Sequence, residues 1–306
     1  MKKISILCTA CLLMLTITSC QEEPPFINFE EPNTIIDTTW VKASPSTPQV
    51  KQVMIEDFTG VQCINCPDAA KIAKDLQTAY PNRVNVAAIH PLGLLNNFTA
   101  PINKEGHVSK QDFRTQAGTT LCQDIVGVPN SLPKGAIDRM KFPDRPDLLI
   151  DYTIWPSKVI EQLAVPTPVN ITLANATGAS NEILIDINIE YTQNLSDTNY
   201  LTMMIIEDNI IDVQEFIDRT DPINPFPSYD DNYNHMHIMR AMVTSATGDL
   251  LNKPNVSLIA GRVFQKRYKY TITNSRWNRN NLQVIAFVHR NGSTKTILQS
   301  NHLKVQ

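Results

Sequence analysis

A short unit constrains this chain more than any other stretch: apolar strand, Cys-x-x-Cys, helix, strand. Val53-Met54-Ile55-Glu56-Asp57-Phe58 is dense in apolar residues, as a largely buried strand requires. Thr59-Gly60-Val61-Gln62 makes the turn, and Cys63-Ile64-Asn65-Cys66-Pro67 follows. From Asp68 to Tyr80 the residues Ala69, Ile72, Ala73 and Leu76 recur three and four apart, the spacing of one helix face. Val84 to Ile89 closes the unit as a second strand. In this context the two cysteines read as a dithiol pair and not as half a zinc site. Zinc needs a second pair of ligands, and none is spaced for it unless the fold recruits His90 or Cys122.

The chemistry of the pair follows from its place. Cys63 falls just ahead of the helix N-terminus, where unpaired N–H groups and the helix dipole favour a thiolate, so it is the candidate nucleophile. Cys66, inside the first turn and shielded, is the candidate resolving thiol, and Pro67 suits a first turn because its missing N–H has no partner there. The competing reading is a static disulfide that pins the turn. Reactivity requires an accessible sulfur, so burial of both sulfurs decides for the static reading.

The strand-dithiol-helix-strand order resembles thioredoxin. The resemblance implies a buried aspartate under the dithiol, at Asp57, which assists proton transfer at Cys66; a carboxyl in an apolar site has a raised pKa that suits this role. It also implies a cis-proline opposite the dithiol with a strand directly after it. Pro129 and Pro133 both qualify by position, and Pro133 is preferred because Gly135 to Arg139 continues as a short strand while Asn130-Ser131 reads as turn. Gln62 stands where thioredoxins have tryptophan, and Ile64-Asn65 replaces Gly-Pro.

The chain has 306 residues and a formal net charge of −3, with no lysine and arginine stripe beyond Arg262 to Lys269, so nucleic acid is not an expected partner. Residues 1–19 read as a leader: Lys2-Lys3, then an apolar run from Ile4 to Ile17 too short to span a bilayer, then Thr18-Ser19-Cys20. The cysteine directly after the small residues resembles a bacterial lipobox, which implies an acylated N-terminus at Cys20 and membrane attachment without a transmembrane helix. With Cys8 and Cys11 in the leader and Cys20 acylated, Cys63, Cys66 and Cys122 remain, enough for one internal disulfide and one thiol. Cys122 reads as a small buried hydrophobe.

Residues 20–48 are rich in proline, threonine and acidic residues and read as an extended tether. Residues 49–165 form the α/β thioredoxin-like domain, with an insertion over 91–128 in which Asn96 to Lys104 reads as loop and Ser109 to Val126 as helix, Ser109 its N-cap. His90 and His107 flank that insertion and read as surface histidines that the fold could turn toward the site. Trp155 to Leu163 is the closing helix, and Pro166-Thr167-Pro168 the domain boundary. Residues 166–306 show seven strands separated by turns: 169–174, 183–191, 200–207, 238–244, 263–273, 282–289 and 296–305. They imply an all-β sandwich of immunoglobulin-like type. Asp212 to His237 reads as a long loop; its oxygen ligands Asp230, Asn232 and Asn234 alternate as in a calcium loop, but without the glycine and distal glutamate of an EF-hand, so it reads as a solvated turn. No cofactor or metal is expected.

Taken together, the lipobox, the tether, Cys63-Ile64-Asn65-Cys66-Pro67, Pro133-Lys134-Gly135-Ala136-Ile137-Asp138-Arg139 and Tyr233-Asn234-His235-Met236-His237-Ile238-Met239-Arg240 resemble the Omp-twenty-eight-related outer-membrane lipoproteins of Bacteroides-type bacteria. The resemblance implies a lipid-anchored envelope protein with a thioredoxin-like domain and a C-terminal β domain. Two functions follow as expectations. One is a thiol-disulfide oxidoreductase acting on exported protein thiols or disulfides through Cys63, Cys66, Asp57 and Pro133. The other is a surface binding or adhesion lipoprotein whose dithiol is only a staple.

Overall fold

The computed structural model describes residues 34–218 and 227–306; the leader, Cys20 and the first part of the tether lie outside the described residues. The elements in chain order are β1 (Thr34–Val41), β2 (Val53–Phe58), α1 (Cys66–Ala79), β3 (Val84–Ile89), α2 (Asn96–Thr99), β4 (Asn103–Lys104), β5 (His107–Val108) and α3 (Gln116–Thr120), which runs on as a π-helical turn over Leu121–Val126. After these come β6 (Lys134–Ile137), β7 (Leu149–Asp151), α4 (Trp155–Leu163), β8 (Val169–Ala176), β9 (Glu182–Tyr191), β10 (Asn199–Glu207) and β11 (Ile210–Ile217). The chain ends with β12 (Pro227–His235), β13 (Ile238–Met242), β14 (Asp249–Leu250), β15 (Arg262–Thr271), β16 (Leu282–Arg290) and β17 (Ile297–Lys304).

A nine-stranded mixed sheet runs β17-β16-β10-β13-β3-β2-β6-β7, with β14 pairing β10 at one side. β2 lies parallel to β3 and antiparallel to β6, so Asp57 sits opposite Ala88 on one neighbour and Gly135 on the other. β13 pairs β10 in antiparallel and β3 in parallel fashion. The boundary read at Pro166 therefore marks where the chain leaves α4 for the β region, and not a break in the sheet.

The apolar pattern explains how this sheet is covered. On β10, Leu201, Met203 and Ile205 enter one core while Met204 and Ile206 enter another, and β16 divides Val284, Ala286 and Val288 from Ile285 and Phe287 in the same way. Both faces of these strands are buried, and both are apolar. On one face, Leu201 and its neighbours meet the four-stranded sheet β1-β15-β9-β8. On the other, Met204, Phe287, Met54 and Phe58 share a core with Leu121, Cys122, Ile125 and Val126 of the π-helical turn. Val53, Ile55, Val84 and Val86 point the opposite way, onto Ala69, Ala73 and Leu76 of α1 and Trp155 and Val159 of α4. Gly135 on β6 is needed for close approach, since an added Cβ would overlap the Trp155 ring.

Three expectations are corrected. Thr34–Val41, read as tether, is the edge strand β1, where a proline-free β-branched run pairs with β15 and Asp37 receives Lys253 and Lys266, each at 2.6 Å. The helix read from Ser109 starts later: Thr115 is the N-cap and accepts from the Gly118 N–H at 3.0 Å, whereas the Ser109 hydroxyl accepts from the Ile102 N–H at 2.8 Å. The stretch read as a long loop contains the paired strands β11 and β12, with Asp221 outside the described residues.

Two ion pairs are sealed between the β2-β6 end of the sheet and β17. Arg139 binds Glu56 with both carboxylate oxygens engaged, at 2.6 and 2.7 Å, and neither side chain is exposed at all. Lys51 lies 3.0 Å from Asp138 and also donates to the Ile297 and Leu298 carbonyls at 2.9 Å. Asp138 and Arg139 both take positive φ, 48° and 46°, where the chain turns after β6. Breaking one partner of such a pair costs about 3–5 kcal/mol, because the survivor remains charged and dry. Arg139→Met should lower the unfolding free energy in denaturant titrations by that order. Adding Glu56→Met to it should recover most of the loss.

Candidate functional site

The loop after β2 is built by close contacts. Gly60 lies against the Phe98 carbonyl, which a Cβ would overlap, and that same carbonyl accepts from Gln62 N–H at 2.8 Å. Cys63 N–H then donates to the Gly60 carbonyl and Cys66 N–H to the Cys63 carbonyl, both at 3.1 Å, a pair of tight turns that brings the two cysteines together. They form a disulfide, with Cα atoms 5.4 Å apart. Cys66 is the first residue of α1, so Cys63 lies outside the helix, ahead of its N-terminus.

Both cysteines are buried, Cys63 2% and Cys66 3% exposed. The cover is β11. Glu215 N–H donates to the Val61 carbonyl at 2.8 Å and Ile217 N–H to the Ile64 carbonyl at 3.3 Å, so β11 bonds along the cysteine loop. The Gln214 amide, itself buried, donates to the carbonyls of Gly60 and Cys63, each at 3.2 Å. Val213 and Ile210 pack with Val61, Ile102 and Phe113 beneath this contact.

Asp57 is buried with no hydrogen-bond partner at Oδ1, and burial pushes its carboxyl up to about 8. It borders a cavity of about 490 Å3 that also touches Cys66, His90, Tyr233, His235 and Lys71. His90 and His235 flank the Phe113 ring edge-on, at 5.5 and 4.9 Å. Burial brings the His90 imidazole down to about 3 and that of His235 to about 4, so both are neutral, and His90 Nδ1 and His235 Nε2 are buried without partners. Asp57, His90 and His235 therefore bring mostly uncharged groups to the cavity near neutral pH, and Lys71 and Lys74 line it with them. Cys66 borders it; Cys63 does not.

The Leu132–Pro133 peptide bond is cis and leads directly into β6, the antiparallel neighbour of β2. Leu132 shares an apolar cluster with Cys63, Cys66 and Phe58. Cys122 lies in that cluster as a free thiol, pushed up to about 12 by burial and by the Glu56 charge. His107 stays at the edge, stacked on Tyr229 at 4.4 Å with Nδ1 2.9 Å from Asp231. Asp230, Asn232 and Asn234 are exposed positions of β12, and among the described residues no group of three or more His, Cys, Asp or Glu side chains is arranged to hold a metal ion. Sequence reasoning missed Gln214, Tyr233 and His235. The signal was present as strand alternation, Tyr229, Tyr233 and His235 turning inward while Asp230, Asn232 and Asn234 turn out.

The model of the family described as Outer membrane protein Omp28 matches residues 125–306. No curated protein matches the chain. Among solved structures, HBP35 of Porphyromonas gingivalis is similar in fold, with a TM-score of 0.60 at 20% identity over 85% of this chain and 76% of that one. A protein of Agrobacterium tumefaciens aligns with a TM-score of 0.48 at 10% identity over 84% and 96% of the two chains. A domain of the outer membrane lipoprotein Omp28 from Porphyromonas gingivalis aligns with a TM-score of 0.30 at 14% identity over 46% and 89%. No helix among the described residues is long and apolar enough to cross a membrane. Matched over more than half of its length, the chain belongs to the family of outer membrane protein Omp28.

Proposed function

We propose that this lipoprotein, anchored through an acylated Cys20, works by binding, and that its Cys63–Cys66 pair is a structural disulfide. What supports a thioredoxin-like reading of the α/β half is the order β3, β2, β6 and β7, the helices α1 and α4 on one face, and a cis-proline before β6. An immunoglobulin-like reading of the β half is supported by β10, β16 and β17 facing the four-stranded sheet. The observation that carries the reading is the burial of both cysteines under β11. Thiol exchange needs a thiolate to reach a sulfur, and here a substrate protein meets β11 first.

A second reading is favoured by one observation, the unpartnered Asp57 at the edge of a cavity shared with Cys66. A buried, unsatisfied carboxyl costs stability and serves no purpose in a staple. In this reading β11 lifts, the reduced Cys63 thiolate attacks a substrate disulfide and expels one substrate thiolate, and Cys66 then displaces the second, leaving the Cys63–Cys66 disulfide. Asp57 takes the Cys66 proton, and Pro133 presents backbone to the bound peptide.

Cys66→Ser in growing cells separates the two. The binding reading expects no mixed disulfides between Cys63 and envelope proteins on non-reducing gels, and a discrete set of trapped partners would overturn it. It also expects the Cys63→Ser/Cys66→Ser protein to fold with a loss of about 2 kcal/mol, the loop-entropy value for so short a span.

Asp57 gives a pH signature under either reading. Its folded pKa lies above its unfolded one, so the folded protein holds the extra proton between roughly pH 4 and pH 8. Stability from this group is full below that window and falls as pH rises through it, by up to about 1.4 kcal/mol per pH unit. Asp57→Asn should flatten this slope in unfolding titrations; an unchanged slope would show that Asp57 ionises normally.

A further inference from the structure

A larger cavity, of about 770 Å3, opens where the α/β half meets the β half, well within the size range of small-molecule sites. Its walls come from both sides of the Pro166 junction. Ile125, Leu148, Val165 and Leu195 supply apolar surface, and the segment Ser293-Thr294-Lys295-Thr296 forms a polar stretch of wall.

The charge lining it has one sign. Lys51, Arg139, Lys141, Arg290 and Lys295 border the cavity, and among the described residues no aspartate or glutamate does. Three of the five are balanced from behind: Lys51 by Asp138, Arg139 by Glu56 and Arg290 by Asp197 at 2.7 Å. The other two are not. Among the described residues Lys295 donates only to the Asn291 side chain and carbonyl, at 2.7 and 3.4 Å, and Lys141 makes no ion pair. Arg139, with no exposed surface, keeps a terminal nitrogen, Nη1, buried and without an acceptor. Two lysines without a carboxylate partner, set against apolar walls, favour an anionic group on whatever occupies the cavity.

We propose that this cavity binds an amphipathic organic anion, a carboxylate or phosphate monoester on an unbranched apolar body. The apolar walls take the body; Lys141 and Lys295 take the head. This names a ligand class for the binding reading above but rests on the cavity and not on the disulfide, so thiol trapping and ligand binding succeed or fail separately.

The test uses the full chain carrying Cys20→Ser, which removes the proposed acylation and with it the need for detergent. Dodecanoate, dodecyl phosphate and dodecanol, each below its aggregation limit, are titrated by calorimetry. Saturable one-to-one binding of one or both anions, with none of dodecanol, is the expected result, and the preferred anion identifies the head group. Lys141→Glu/Lys295→Glu should weaken that binding at least tenfold with an unchanged thermal melt; if the melt shifts, Lys141→Glu alone, at an exposed position, should weaken it several-fold. Absence of saturable binding by either anion, equal binding of dodecanol, or undiminished affinity in the lysine variants overturns the proposal.

Discussion

The structure turns on the two ion pairs buried between β2, the end of β6 and β17. Four charges in a dry core are expensive, and only mutual pairing with additional hydrogen bonds makes them tolerable. Here the additional bonds are long-range. Lys51 reaches the first two carbonyls of β17, Asp138 accepts from the Met54 N–H at 2.8 Å, and the Arg139 guanidinium lies 5.0 Å from the Phe287 ring centre on β16. The contacts these charges do make therefore form only when the N-terminal strand unit and the last two strands are both in place, and even then Asp138 Oδ2 and Arg139 Nη1 stay without a hydrogen-bond partner. That requirement, more than any apolar contact, specifies one docking of the two halves. It explains why, in a chain with a plausible domain boundary at Pro166, one sheet runs through both halves.

The same continuity governs the disulfide. β13 enters the sheet between β3 and β10, and the segment just before it, from His235 back to Ile210, is delivered to the end of β2 where the cysteines lie. In a free-standing strand-dithiol-helix unit, the sulfur ahead of the helix faces solvent. Here another part of the chain supplies a strand whose N–H groups bond the cysteine loop. What a soluble redox domain would leave open for a partner, this fold fills from within.

Much of this was legible in the sequence. Seven of the ten described strands after Pro166 were readable because their apolar runs are long and their turns carry asparagine, glycine and serine. The site unit was readable because strand, dithiol, helix and strand are contiguous. β11 and β12 were not, for a physical reason: the aspartates and asparagines of β12 imitate a loop, and its inward positions are tyrosine and histidine, which a hydropathy reading counts as polar. The burial of Cys63 was invisible for a related reason. It depends on Gln214 and Glu215, about 150 positions away in sequence and joined to the cysteine loop by main-chain carbonyl bonds that no side-chain pattern encodes. The charged core was hidden as well, since Glu56 inside an apolar strand and Arg139 after a short one look like strand ends.

The cover over the disulfide is not uniform along its length. Near Ile210 it is held by apolar packing against Val61 and Phe113, and by the Asp212 carboxylate, which accepts from the N–H groups of Lys110 and Gln111 at 2.9 Å. Toward Ile217 the packing thins to half-buried side chains, and the last main-chain bond to the cysteine loop among the described residues is the long one to Ile64, at 3.3 Å. Opening free energies in folded proteins follow such gradients, from near zero at frayed ends up to the global value in the core. A lift that bares Cys63 would therefore start at the Ile217 end and meet rising resistance at Gln214, whose amide ties the carbonyls of Gly60 and Cys63 together. The two readings of the disulfide differ in how far along that strand the fraying runs. A staple needs it to stop before Gln214, and an exchanging dithiol needs it to pass.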